Sequence, residues 1–129
     1  MSAYLLDTNA FAMILTGDPR LPPGIRERLI EATRIAVSVI SFYEVGQKVR
    51  LGRWPEMQPH VAGLDARARD DGYDLLPLTP AAALESSMMD WPDRDPFDRM
   101  IATIARHEGL PLISSDTAFD AMGIARLWT

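Results

Sequence analysis

Tyr4-Leu5-Leu6-Asp7-Thr8-Asn9 is the stretch whose reading decides the fold. Three apolar residues lead into an acid, two small polar residues follow, and the apolar run Ala10-Phe11-Ala12-Met13-Ile14-Leu15 comes directly after. This pattern predicts a short buried strand ending at Asp7, with a helix beginning at once. In a parallel α/β sheet, ligands bind in the crevice beyond the carboxyl ends of the strands. An acid at such an end is placed for chemistry.

The same alternation continues along the chain. Turn residues at 16–19 and 21–24 lead to a helix carrying Ile25, Leu29 and Ile30 and ending near Thr33. The β-branched run 35–40 predicts a second strand, and a helix from Ser41 reaches about Leu51 and closes at Gly52. Met57, Val61, Leu64 and Ala68 recur at helical spacing and predict one amphipathic helix, ended by Asp70-Asp71-Gly72. Residues 73–76 form a third strand. Thr79 and Pro80 then suit the N-cap and first position of a helix whose buried stripe is Ala81, Leu84 and Met88. After a polar loop at 90–94, Asp95-Pro96-Phe97-Asp98 opens a helix with Phe97, Ile101 and Ile104 inward, stopped by Gly109. Residues 110–113 are a fourth strand leading into Ser114-Ser115-Asp116, and 124–127 add an edge strand. Strands alternating with helices predict a three-layer α/β/α architecture around a mostly parallel sheet of four to five strands.

With 129 residues and 14.4 kDa, residues 1–129 are read as one domain with room for a sizeable core. Nothing in the composition suggests disorder, no run reaches membrane-span length, and the N-terminus has no signal-peptide pattern. The absence of cysteine excludes disulfides and thiolate metal sites and makes a reducing cytoplasm the expected compartment. A net charge of −5 argues against a broad basic face for nucleic acid, although clustered carboxylates neutralised by cations would carry much of that charge.

Four acids invite chemistry, and each also has a structural explanation. Ser41-Phe42-Tyr43-Glu44 fits a capping box. Asp98 suits the first turn of its helix through the dipole, and Asp116 and Asp7 suit caps of the turns that follow them. Capping does not explain their joint arrangement, because strand ends and the helix starts after them lie along one edge of a doubly wound sheet. Asp7 and Asp116 end strands and Glu44 sits about one turn past the second; Asp98 precedes the fourth strand. At about 4 Å and an effective dielectric near 20, two like charges repel by roughly 4 kcal/mol. Such a cluster raises its own pKa values or recruits cations, and hard carboxylate oxygens select Mg²⁺ or Mn²⁺ over zinc. The reading is metal-dependent phosphoryl chemistry. Asp95 is an N-cap or an outer-shell acid. Thr8, Asn9 and Ser114 either bond metal-held water and substrate or simply form turns. Lys48, the sole lysine, is four residues past Glu44 and suits either an i,i+4 pair or a contact to substrate. Arg99 suits a pair with Asp95 or a phosphate contact, Arg50 and Arg53 a solvated surface, and His60 and His107 surface or helix-end positions.

These motifs resemble those of PIN-domain ribonucleases, and more narrowly of VapC-type toxins from bacterial toxin–antitoxin pairs. The resemblance rests on Leu5-Leu6-Asp7-Thr8-Asn9, on Ser41, Glu44, Lys48 and Gly52 in register, on Asp95-Pro96-Phe97-Asp98-Arg99-Met100-Ile101-Ala102, and on Leu112-Ile113-Ser114-Ser115-Asp116. It implies a PIN-like fold in which Asp7, Glu44, Asp98 and Asp116 are the metal-binding quartet and Asp95 an accessory acid. It implies Mg²⁺- or Mn²⁺-dependent hydrolysis of a structured RNA such as a tRNA or ribosomal RNA loop, leaving a 5′-phosphate and a 3′-hydroxyl and stopping translation. It further implies a homodimer neutralised by a VapB-type antitoxin within a larger assembly. Ser114 stands where many relatives carry threonine, which preserves the hydroxyl.

Three other readings compete. A receiver-like Mg²⁺ signalling domain needs a lysine at a late strand end, whereas Lys48 lies within the helix after the second strand. A haloacid-dehalogenase-like phosphatase needs a second acid two residues past the first, where this chain has Asn9. A non-catalytic partner-binding module would use all these acids as caps.

Overall fold

A computed structural model describes residues 2–92 and 95–129. The chain runs β1 (Ala3–Leu6), α1 (Thr8–Thr16), α2 (Pro23–Glu31), β2 (Arg34–Ser38), α3 (Val39–Arg50), a 3-10 turn (Pro55–Met57), α4 (Gln58–Val61) and α5 (Leu64–Asp70). It continues through β3 (Asp74–Leu76), α6 (Pro80–Met88), α7 (Pro96–Glu108), β4 (Leu112–Ile113), a 3-10 turn (Thr117–Met122) and β5 (Arg126–Leu127).

The five strands form one sheet in the order β3-β2-β1-β4-β5, and every pairing is parallel. Leu5 lies beside Ala36 and Leu112, and Leu6 beside Val37 and Ile113. Because side chains alternate across a strand, these two rows face opposite ways and seed two cores. Leu6, Val37 and Ile113 pack with Phe11, Ile25, Val45 and Ala68 from the α1, α2, α3 and α5 layer. Leu5, Ala36 and Leu112 pack with Ile101, Ala105, Trp91 and Phe119 on the α7 side. Each strand residue has helix on its own side, so the central strands are apolar on both faces, as a parallel sheet requires. This is the expected three-layer α/β/α architecture. The chain departs from β1 in both directions across the sheet, so the strand order reverses between β1 and β4. The carboxyl-end crevice at such a reversal is where this class of sheet binds ligands.

Three expectations are corrected. The helix after β2 begins at Val39 rather than Ser41, because Ser38 ends the strand and also caps the helix by accepting from the Ile40 amide at 3.0 Å. The single helix expected over 57–68 is broken into α4 and α5: Pro59 sits at the start of α4, and Gly63 takes a left-handed φ of 74° between them. The buried stripe of α6 is Ala82 and Ser86, while Leu84 and Met88 are 68% and 82% exposed. Ser86 disguises that stripe, since its hydroxyl is satisfied internally by donating to Ala82 O at 2.7 Å. The loop read at 90–94 falls in part on residues 93 and 94, outside the described residues. Among the described residues, no helix is long and apolar enough to cross a membrane.

Candidate active site at the sheet reversal

Asp7 follows β1 without a linking residue, because its extended backbone (φ −75°, ψ 174°) still belongs to the strand direction while its side chain starts α1. One carboxylate oxygen, Oδ1, accepts from the Ala10 amide at 2.8 Å. The side chain is nonetheless buried, at 5% exposure. Burial pushes the Asp7 carboxyl up to about 6; hydrogen bonds from the Ser114 hydroxyl and the Ala10 amide oppose this, and the charges of Glu44 and Asp116 add to it. These couplings bring Asp7, Glu44 and Asp116 together electrostatically from three separate stretches of chain.

Glu44 lies on α3 and is buried at 4% exposure. Its Oε2 accepts from Lys48 Nζ at 2.5 Å, the expected i,i+4 pair, and Lys48 also sits 5.6 Å from the centre of the Trp54 ring. Its Oε1 is buried with no hydrogen-bond partner among the described residues. With the helix starting at Val39, Glu44 lies beyond the first turn, so the capping-box explanation does not apply to it.

The remaining acids divide between caps and non-caps. Asp116 is exposed and caps the turn after β4 through the Ala118 amide at 2.9 Å. Asp95 caps α7 through the Phe97 amide at 2.9 Å, with Pro96 at the first helical position as expected. Asp98 lies half-buried in the first turn of α7. That turn packs toward α3, where Phe97 meets Tyr43, the neighbour of Glu44, at a ring separation of 5.9 Å.

Hydroxyls link these acids. Ser114, fully buried, bonds the Asp7 carboxyl and also accepts from the Asp116 amide at 3.0 Å. Thr8 is buried too, and its hydroxyl meets that of Ser41 at 2.9 Å, tying the start of α1 to α3. Thr8 therefore serves the packing of the site from inside. Asn9 is exposed and, with Ser115, lines an adjoining groove of about 690 Å³ that also contains Met13, Arg20 and Trp54. The Arg99 guanidinium donates to backbone carbonyls of Ser86, Met89 and Trp91. His107 pairs with Glu85 and His60 with Arg67, both at the surface. Ser38 and Ser41 carry roles the sequence reading does not assign to them. The only signal for Ser38 is a polar residue at the end of a β-branched run.

Among the described residues, no three acidic or histidine side chains stand together as a ready-made metal shell. Two features nevertheless fit a divalent cation. A buried carboxylate oxygen without a partner costs about 1–3 kcal/mol or more, and Glu44 Oε1 is such an atom. Coupled to it, Asp7 resists ionisation because burial strips its carboxylate of water, and the Glu44 and Asp116 charges add to this. The donors are all hard oxygens, the preference of Mg²⁺ and Mn²⁺.

A PIN domain family model matches residues 4–125. No curated protein matches the chain. Among solved structures, VapBC2 from Rickettsia felis, bound to a DNA fragment from its promoter, is similar with a TM-score of 0.70 and 17% identity over 97% of both chains. DNA-bound VapBC from Salmonella typhimurium has a TM-score of 0.68 and 24% identity over 100% of both. Mycobacterium tuberculosis VapC20, a sarcin-ricin loop cleaving toxin, has a TM-score of 0.68 and 18% identity over 99% of this chain and 100% of its own.

Proposed function

The chain belongs to the PIN-domain family, and from that premise we propose that it is a Mg²⁺- or Mn²⁺-dependent endoribonuclease acting as the toxin of a VapBC-type pair. The observation that carries this reading is Glu44, a buried carboxylate with one oxygen unpartnered, coupled to a buried Asp7 whose own ionisation is disfavoured. Capping accounts for Asp7, Asp95 and Asp116 one by one, and the Lys48 pair accounts for Glu44 Oε2, which leaves Glu44 Oε1 without a partner among the described residues.

In this reading Asp7, Glu44, Asp98 and Asp116 hold the cation, with Asp95 as the accessory acid. When bound, the cation supplies water activation and neutralises charge developing on the phosphodiester. The chain's own groups prepare for it. Asp7 gives up the proton that burial favours. The Ser114 hydroxyl orients the Asp7 carboxylate while accepting from the Asp116 amide, which fixes two acids relative to each other. Lys48 holds one oxygen of Glu44 and leaves the other for the cation. Asn9 and Ser115, on the wall of the groove beside the acids, suit contacts to the RNA strand. Hydrolysis leaves a 5′-phosphate and a 3′-hydroxyl.

The fold relatives support the partners. By analogy with the VapBC complexes, a VapB-type antitoxin neutralises the protein, which acts as a homodimer inside a larger toxin–antitoxin assembly in the cytoplasm. The toxin that cleaves the sarcin-ricin loop suggests a structured RNA, a ribosomal RNA loop or a tRNA, as target. The test is cleavage of total RNA by the purified protein with Mn²⁺ and with EDTA, beside Asp7→Asn and Asp98→Asn. Metal-dependent cuts with defined 5′-phosphate ends, absent from both variants, are expected. RNA left intact by wild-type protein across Mn²⁺ and Mg²⁺ concentrations contradicts the reading.

A further inference from the structure

Among the described residues, helix α6 ends without a backbone cap. Its C-cap residue Met89 is extended (φ −65°, ψ 130°) rather than left-handed, so the last carbonyls of the helix need donors from elsewhere. Arg99, one residue past Asp98, supplies a donor to one of them and to two carbonyls just beyond the helix. Its Nη1 donates to Met89 O at 2.8 Å and to Ser86 O at 3.3 Å, and its Nη2 donates to Trp91 O. A guanidinium at a helix C-terminus also opposes the negative end of the helix dipole. The connection is reciprocal. The Arg99 carbonyl accepts from the Thr103 hydroxyl at 2.9 Å, and that hydroxyl meets Ser86 Oγ at 3.0 Å, with Ser86 and Thr103 both buried.

This clasp reaches both sides of the acid edge. Trp91, buried at 5% exposure, stacks at 5.9 Å on Phe119 in the turn that Asp116 caps. On the other side, Phe97 meets Tyr43 on α3 next to Glu44. The first turn of α7 is therefore held between the element bearing Glu44 and the element bearing Asp116. We infer that Arg99 is a positioning residue rather than a phosphate contact: by capping α6 through Ser86, Met89 and Trp91 it sets where Asp98 stands relative to Glu44 and Asp116. This inference rests on the metal-nuclease reading above.

The test measures Mn²⁺ binding by electron paramagnetic resonance of the free ion, together with thermal unfolding and steady-state RNA cleavage, on full-length wild type, Arg99→Gln and Arg99→Lys. Arg99→Gln is expected to weaken Mn²⁺ at least about tenfold, in line with losses on removing groups that orient metal ligands. It should also lower kcat with KM for RNA unchanged. Arg99→Lys, which keeps the charge and one carbonyl bond, is expected to fall between the two and serves if the glutamine variant fails to fold. A lysine variant that binds Mn²⁺ within twofold of wild type while Arg99→Gln is unfolded overturns the inference. So does a folded Arg99→Gln with wild-type Mn²⁺ affinity, whether KM rises, as for a phosphate contact, or only the melting temperature falls, as for a purely structural residue. Wild-type protein that binds no Mn²⁺ overturns the metal reading itself, and the inference with it; wild-type binding unchanged by Arg99 substitution overturns the inference alone.

Discussion

Asp7 and Asp116 stand on either side of the sheet reversal, each capping the turn that follows its strand, yet their surroundings differ. Asp7 is 5% exposed, and burial pushes its carboxyl up to about 6; Asp116 is exposed and makes the same kind of cap in contact with water. The local rule is identical, so capping alone does not tell the two environments apart. Tertiary burial makes that distinction. Asp7 and Glu44, beside β1 and on α3, are buried carboxylates, whereas Asp116, after β4, stands exposed.

If that contrast is real, Asp7→Asn gives the largest effect, and a two-sided one. Cleavage is expected to fall by about 10²–10⁴-fold, the range for removing a group that acts on the reacting centre. The metal-free protein is expected to gain about 2–3 kcal/mol at pH 7.5, because asparagine keeps the cap without the buried charge. Chemical denaturation beside an RNA assay reads both. Lost activity with lost stability would make Asp7 an ordinary structural cap. Asp116→Asn, by contrast, should cost activity with almost no change in stability.

The pH dependence sharpens the same point. The folded carboxyl of Asp7 titrates near 6 and the unfolded one near 3.8, so the folded state binds the extra proton between those values. Its contribution is fully present below about pH 4, is lost as pH rises toward about 6, and is flat above. Stability of the metal-free wild type should fall through that window, and Asp7→Asn should remove this component. Mn²⁺ affinity should run the other way, weakening by about tenfold per pH unit below about 6, since binding must release that proton.

The smallest effect is expected far from the acids, on α6. Leu84→Ser should change unfolding stability by no more than about 0.5 kcal/mol, as an exposed substitution does. A loss of about 2–5 kcal/mol would return Leu84 to the core where its spacing alone puts it.

The strands and the acid-bearing strand ends are legible in the sequence because short continuous apolar runs and abrupt polar endings are local signals. Leu5-Leu6-Asp7 and Leu112-Ile113-Ser114 announce themselves in this way. What stays hidden depends on partners distant in the chain. Ser41 looks like a helix cap until Ser38 is seen to take that position and the Ser41 hydroxyl is seen to meet Thr8. Ser86 looks exposed until Thr103 arrives from α7 to share its hydrogen bond. Arg99 suits a pair with Asp95 or a phosphate contact by spacing, and no spacing rule shows that it bonds carbonyls at the end of α6. The acids themselves are readable by type and order, but the difference between Glu44 and the caps rests on one unpartnered oxygen that no spacing rule reveals.

The central claim is that acids from separate elements share one divalent cation, and Mn²⁺ titration of the metal-free protein at pH 7.5 tests it most directly. Saturable binding is predicted for wild type, with each of Asp7→Asn, Glu44→Gln and Asp98→Asn weakening it by tenfold or more. Binding to all three variants as tight as to wild type, or none to wild type, would contradict the account.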